Sequence, residues 1–207
     1  MDTKGNFWRH FLKVYIVSKA NMIFHEQKLS GVFTIEPESY SDERGLLRRH
    51  FCQREFAKQG IMTDVKQSNI SENKQRHTLR GFHYQLPPYG ENKILSCIKG
   101  AIYDVIVDVR EHSDTYLKWE SYELTEENRL SLYVPMGCAN AYLTLKDNTW
   151  IFYYHSDFYT PGAEAAIRYN DPVFKFEWPV KPSVVSEKDR NIPDFNLDQN
   201  LKDMRQG

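Results

Sequence analysis

What most limits the folds open to this chain is its rhythm. Short runs of alternating apolar and polar residues are each stopped after a few positions by glycine, proline or a polar turn. Residues 101–110 show it best. Side chains on a strand alternate between faces, so Ala101, Tyr103, Val105, Val107 and Val109 share one side and Ile102, Asp104, Ile106 and Asp108 the other. The pattern returns at 31–37, 65–71, 94–97, 119–124, 130–134, 139–143 and, crowded with rings, at 149–159. About eight or more such strands, punctuated by Gly and Pro, point to an all-β sandwich or barrel of the jelly-roll kind. Lys99-Gly100, flanked by two strands, carries a hairpin signal. Helix is expected only at the periphery: a short amphipathic stretch within 1–21, and 53–60, closed by Gly60. From Ser186 onward the chain is polar enough to pass for disorder on composition.

No linker, repeat or low-complexity block divides the sequence, and 207 residues suit one β domain. With 27 basic and 28 acidic side chains the formal charge is −1, so no broad field favours nucleic acid or anionic lipid. An anionic ligand must be held by local clusters. Cys52, Cys97 and Cys138 lack a CxxC spacing and imply neither a disulfide framework nor a zinc site, which fits a reducing compartment. The apolar run 11–17 is interrupted by Lys13 and too short to span a bilayer, so the cytoplasm is the expected address.

Chemistry concentrates in residues 77–93, HTLRGFHYQLPPYGENK. Gly81 marks a place where another backbone or a ligand passes close by. Phe82 and Tyr84 share one face of this strand, leaving His83 on the other between a glycine and Gln85, an open polar setting. A lone strand histidine is more often a hydrogen-bonded core or rim residue than a catalyst, and residue types alone leave both readings standing. The turn at 87–90 brings Lys93 back toward His83. Asp104 is a carboxylate on either the inward or the solvated face, and Tyr153, sharing a face with Ile151 and His155, can present its hydroxyl to a cavity.

The order Asp42-Glu43-Arg44-Gly45, Gln67-Ser68-Asn69, Leu79-Arg80-Gly81-Phe82-His83-Tyr84-Gln85, Lys93, the run 103–110, Pro135-Met136-Gly137, Tyr153, Tyr159 and Ser186-Glu187-Lys188-Asp189 resembles the dTDP-4-dehydrorhamnose 3,5-epimerase family from about residue 23 to 189. The resemblance implies a cupin-type double-stranded β-helix with short peripheral helices, spanning 23–207 behind an extension at 1–22. It also implies a homodimer with exchanged N-terminal strands, no cofactor and no metal. The implied reaction inverts C3, or C3 and C5, of a nucleotide-linked 4-keto-6-deoxy sugar or heptose. A hydrogen beside a ketone is removable when a base lies in reach and the developing enolate meets a donor or cation. His83 matches the family's base, Asp189 its carboxylate partner and Tyr153 the acid on the opposite face. Lys93 and Arg80 match residues lining the sugar. Arg44, Gln67, Asn69 and Tyr159 match contacts to substrate or diphosphate, Arg44 reaching into the neighbouring subunit. A binding cupin without turnover and a 3,4-ketoisomerase are the alternatives.

Metal-bearing cupins need two histidines two apart with further ligands, whereas Tyr84-Gln85 follows His83 here. Two positions depart from the family pattern. Asn140 stands where a histidine is usual, keeping a donor without a charge. Arg49 stands where a glutamate is usual, and a cation there leads to the expectation of CDP or GDP in preference to dTDP.

Overall fold

The computed structural model describes residues 21–61 and 64–205. The expected helix within 1–21 lies outside them. In chain order the strands are β1 (Met22–Glu26), β2 (Phe33–Pro37), β3 (Ser39–Asp42), β4 (Gly45–Arg48), β5 (Gln67–Asn73), β6 (Thr78–Gln85), β7 (Lys93–Lys99), β8 (Ala101–Asp108), β9 (Trp119–Thr125), β10 (Ser131–Val134), β11 (Cys138–Thr144), β12 (Thr149–His155), β13 (Glu164–Ala166) and β14 (Val184–Val185). Among the described residues three short helices accompany them: α1 (Gln53–Lys58), α2 (Glu187–Arg190) and α3 (Leu197–Met204). Met22, assigned to the extension, is the first residue of β1 and pairs with Pro37.

Two sheets face each other. One runs β1-β2-β10-β7-β12-β5 and the other β13-β6-β11-β8-β9, with β14 added in parallel beside β6. This is the cupin-type jelly roll that the strand rhythm and the resemblance implied. The alternation of β8 is realised residue by residue: Ile102 and Ile106 enter the layer between the sheets with Leu95, Cys97, Leu132 and Ile151, while Val105 and Val107 pack outward with Phe82, Ala139, Ala141 and Phe174. Both faces of β8 are therefore buried, which is why its polar members must find partners or cluster around a cavity. Asp108, fully buried at the end of β8, accepts from Arg110 Nε at 2.8 Å and from Thr115 Oγ1 at 2.7 Å.

Lys99-Gly100 is not a hairpin. β7 bonds β10 and β12 in the first sheet, and β8 bonds β9 and β11 in the second, so the chain turns a corner between layers. A Cβ on Gly100 would lie 2.4 Å from Thr149 Oγ1, and the corner closes only around a glycine at φ +82°. Nor is the polar tail shapeless. Val184 and Val185 pair with Thr78 and Leu79 of β6. Further on, Asn200 in α3 is buried and bonded to Tyr84 and Tyr116. A polar composition is compatible with order here because the tail borrows a sheet edge instead of making a core.

Candidate active site

The site begins with an irregularity in β6. Asn140 of β11 pairs with His83, but Tyr142 pairs with Arg80, so two steps on β11 oppose three on β6. The extra residue is accommodated at Gly81, at φ +104°, where a Cβ would sit 2.5 Å from the Asn140 carbonyl oxygen and 2.8 Å from Ala141 Cα. Strict alternation puts Arg80 on the Phe82 face. The extra residue returns it to the face of His83, and both line one cavity of about 590 Å³ between the sheets. Arg80 is held there by Asn73, which accepts from its Nε at 2.9 Å.

His83 Nε2 donates to Asp189 Oδ1 at 2.8 Å. The carboxylate arrives by way of the tail: β14 locks onto β6, Ser186 Oγ accepts the Asp189 N–H at 3.0 Å as the cap of α2, and one helical turn points Asp189 at the imidazole. The Asp189 side chain is 6% exposed and that of His83 47%. Burial pushes the Asp189 carboxyl up, but the hydrogen bond and charge of His83, with the Ser186 bond, outweigh it and hold the group below the ordinary carboxylate value.

The opposite wall belongs to the first sheet. Its registers set two rows across three strands: Gln67, His155 and Lys93, then Asn69, Tyr153 and Leu95. Lys93 Nζ donates to the His83 carbonyl at 2.9 Å and to Asn140 Oδ1 at 3.3 Å, and lies 3.6 Å from Glu91 Oε1. Burial draws the ammonium below its ordinary pKa, against the pull of Glu91 and Asp104. Asn140 Nδ2 in turn donates to Asp104 Oδ2 at 3.2 Å. Asp104 faces inward, fully buried, its second oxygen without a partner among the described residues, and burial pushes its carboxyl well above the ordinary value. The Tyr153 phenol is likewise raised well above its usual value, by burial and by neighbouring Tyr142.

Most of the expected residues thus meet. His83, Asp189, Arg80, Lys93, Asn140, Tyr153, Asn69 and Tyr159 line the cavity, Asp104 supports it through Asn140, and the Gln67 amide oxygen accepts the Tyr159 N–H at 3.4 Å at its rim. Arg44 and Arg49 do not. Arg44 sits at the tip of the β3–β4 hairpin, bonded to Asp42 at 2.5 Å and largely exposed. Arg49 pairs with Glu55, the carboxylate that also accepts the Met22 N–H at 2.7 Å. Residues not singled out beforehand complete the walls: Glu91 accepts from His155 Nδ1 at 2.8 Å, Ser71 bonds Tyr142 at 2.8 Å, and Lys188 pairs with Glu164 at the mouth at 3.0 Å. For His155 the signal was present in the alternation that put it on the Tyr153 face. Among the described residues no group of three or more His, Cys, Asp or Glu side chains is arranged to hold a metal ion. No helix among them is long and apolar enough to cross a membrane.

The family described as dTDP-4-dehydrorhamnose 3,5-epimerase matches residues 26–196. The dTDP-4-dehydrorhamnose 3,5-epimerase of Sinorhizobium fredii is 37% identical over 173 residues, covering 83% of this chain and 89% of the relative. The crystal structure of the Bacillus anthracis dTDP-4-dehydrorhamnose 3,5-epimerase, with TDP and PPi bound, is similar with a TM-score of 0.81 and 31% identity, over 84% of this chain and 99% of that one. ChmJ, a 3'-monoepimerase from Streptomyces bikiniensis in complex with dTDP-quinovose, is similar with a TM-score of 0.77 and 30% identity, over 87% of this chain and 98% of that one. The preference for CDP or GDP read from Arg49 is overturned: similar structures hold TDP or a dTDP-sugar. The physical premise fails as well, because the Arg49 charge is matched by Glu55 and lines no part of the cavity.

Proposed function

This chain belongs to the dTDP-4-dehydrorhamnose 3,5-epimerase family, and from that premise we propose that it inverts C3, or C3 and C5, of a dTDP-linked 4-keto-6-deoxy sugar. The observation carrying this reading is that His83 of one sheet, paired with Asp189 of α2, and Tyr153 of the other sheet flank the same cavity. Inversion needs a base and an acid on opposite faces of one carbon, and a flat enolate between two walls meets that need.

His83 takes the proton beside the ketone. Its Nε2 is engaged by Asp189, which leaves Nδ1 for the substrate, and the carboxylate stabilises the imidazolium that forms. As the C–H bond breaks, charge builds on the C4 oxygen, where the Lys93 ammonium, anchored by Asn140 and the His83 carbonyl, supplies a fixed positive end. Tyr153 then gives its proton to the other face of the enolate. A phenol with a raised pKa is neutral before that step, so the cavity holds no second anion while the enolate forms.

Arg80, Asn69, Gln67 and Tyr159 are assigned to the sugar and diphosphate. The exposed β3–β4 hairpin, with Tyr40, Leu46 and Leu47 outward, is assigned to contact with a second copy, to whose cavity it would deliver Arg44. The three free cysteines and a nucleotide-linked substrate fit a cytoplasmic enzyme. Incubation of the protein in D2O with a dTDP-linked 4-keto-6-deoxy hexose tests the reading. Deuterium at C3, with a new C3 configuration by NMR, is the expected result, and an unlabelled, unchanged substrate overturns it.

A further inference from the structure

His83 is not the cavity's only imidazole held by a carboxylate. On the facing wall Glu91 Oε2 accepts from His155 Nδ1 at 2.8 Å, with both side chains largely enclosed at 10% and 14% exposure. That contact fixes the ring so that Nε2 is turned to Asn69 Nδ2, 3.3 Å away. His155 is the last residue of β12, two positions beyond Tyr153 on the same face, and the two rings stack with centroids 5.8 Å apart and planes 24° apart. Along that face the strand runs from Ile151, sealed in the core, through Tyr153 to His155 at its end.

We propose that His155, fixed by Glu91, is the proton-return group for Tyr153. The proposal rests on the roles given above to Tyr153 and His83. Each inversion leaves His83 protonated and Tyr153 as a phenolate, and both must be reset. His83, half exposed, sheds its proton to solvent directly. Tyr153 stands against the core, where a lingering phenolate is costly. In the return step Nε2 of the His155 imidazolium parts from Asn69 and its N–H bond breaks, the proton passes through an intervening water and an O–H bond forms on Tyr153. The neutral imidazole then takes a proton from solvent at the mouth, so the cycle conserves charge and protons. Glu91 stabilises the imidazolium. Burial pushes its own carboxyl up, but the His155 hydrogen bond and the Lys93 charge prevail and hold it below the ordinary value, so it stays anionic. Asn69 serves both states of the ring, donating through its amide nitrogen or, turned over, accepting through its oxygen.

The test compares one turnover with many, for the wild type and for His155→Ala, on a dTDP-linked 4-keto-6-deoxy hexose. A first inversion with enzyme in excess draws on the proton already on Tyr153, and only later ones need the return step. In His155→Ala the steady-state rate is expected to fall about tenfold further than the single-turnover rate, the low end of what general acid–base groups contribute, and millimolar imidazole should close the gap. Equal falls in both rates, no fall in either, or a gap that imidazole leaves untouched would overturn the proposal. Glu91→Gln keeps the ring but loses the carboxylate and should show the same inequality on a smaller scale. If it acted only by disturbing Lys93, both rates would drop together and the proposal would fail. Failure of wild-type turnover itself counts against the epimerase reading instead.

Discussion

His83 Nε2 and Asp189 Oδ1 lie 2.8 Å apart although 106 residues separate them along the chain. The contact exists because β14 and a capped turn carry the carboxylate back to β6. Asp189→Asn keeps the shape but removes the charge that stabilises the imidazolium, so kcat is expected to fall by about 10²–10⁴-fold. Binding of a dTDP-sugar, measured by calorimetry, should change little. A Kd raised in proportion to the kcat loss would mean that Asp189 acts on binding and not on the proton.

Tyr153→Phe separates the two halves of the reaction. With His83 and Lys93 intact, solvent deuterium should still wash into C3, returned by His83 to the face it came from. The inverted product should fall to a small fraction of the exchanged material, read by proton NMR. Inversion at the wild-type ratio to exchange would place the acid elsewhere.

Gly81→Ala should damage fold and site together. The new methyl meets the Asn140 carbonyl and Ala141 at under 3.0 Å, on a backbone at φ +104° that alanine adopts poorly. Overpacking of this kind costs roughly 1–3 kcal/mol, to be seen as a lower urea midpoint. Unchanged stability would mean that β6 and β11 part readily there.

Asp108 gives stability a defined acid dependence. Burial pushes its carboxyl up, but hydrogen bonds from Arg110, Ser113 and Thr115 more than offset this and hold it below the ordinary value. A depressed carboxylate contributes fully above its unfolded pKa, about 3.9, and loses that contribution as pH falls through the lower folded value. Asp108→Asn removes the charge that matches Arg110, which keeps its bond to the Ser30 carbonyl, and should cost about 1–3 kcal/mol at pH 7. Urea unfolding should show the gap to wild type narrowing steadily below about pH 4.

The residues differ in how far the sequence alone reveals their places. The two faces of β8 and the shared face of Ile151, Tyr153 and His155 were legible because alternation is local and both sheets keep it. Arg80 broke the rule through an extra residue at Gly81, where the glycine signalled a close approach but not on which side the irregularity would fall. Lys99-Gly100 read as a hairpin because a corner between sheets uses the same residues, and only distant partners decide between them. Asp189 was visible solely through family likeness, since no spacing joins a tail to a strand. Glu91 escaped notice as a turn residue, its role fixed by His155, which lies 64 positions away. Arg49 misled because a residue's charge says nothing about the neighbour that neutralises it, here Glu55.

On its N-terminal side the segment that brings Asp189 to its place is moored by two residue pairs, Val184 with Thr78 and Val185 with Leu79, and beyond it by single bonds such as that of Arg168 to the Ile192 carbonyl. Such a mooring opens at far less cost than the sandwich it lies against. On warming, this molecule should therefore fall silent while its two sheets still hold together, and on cooling it should regain its voice without having to fold again.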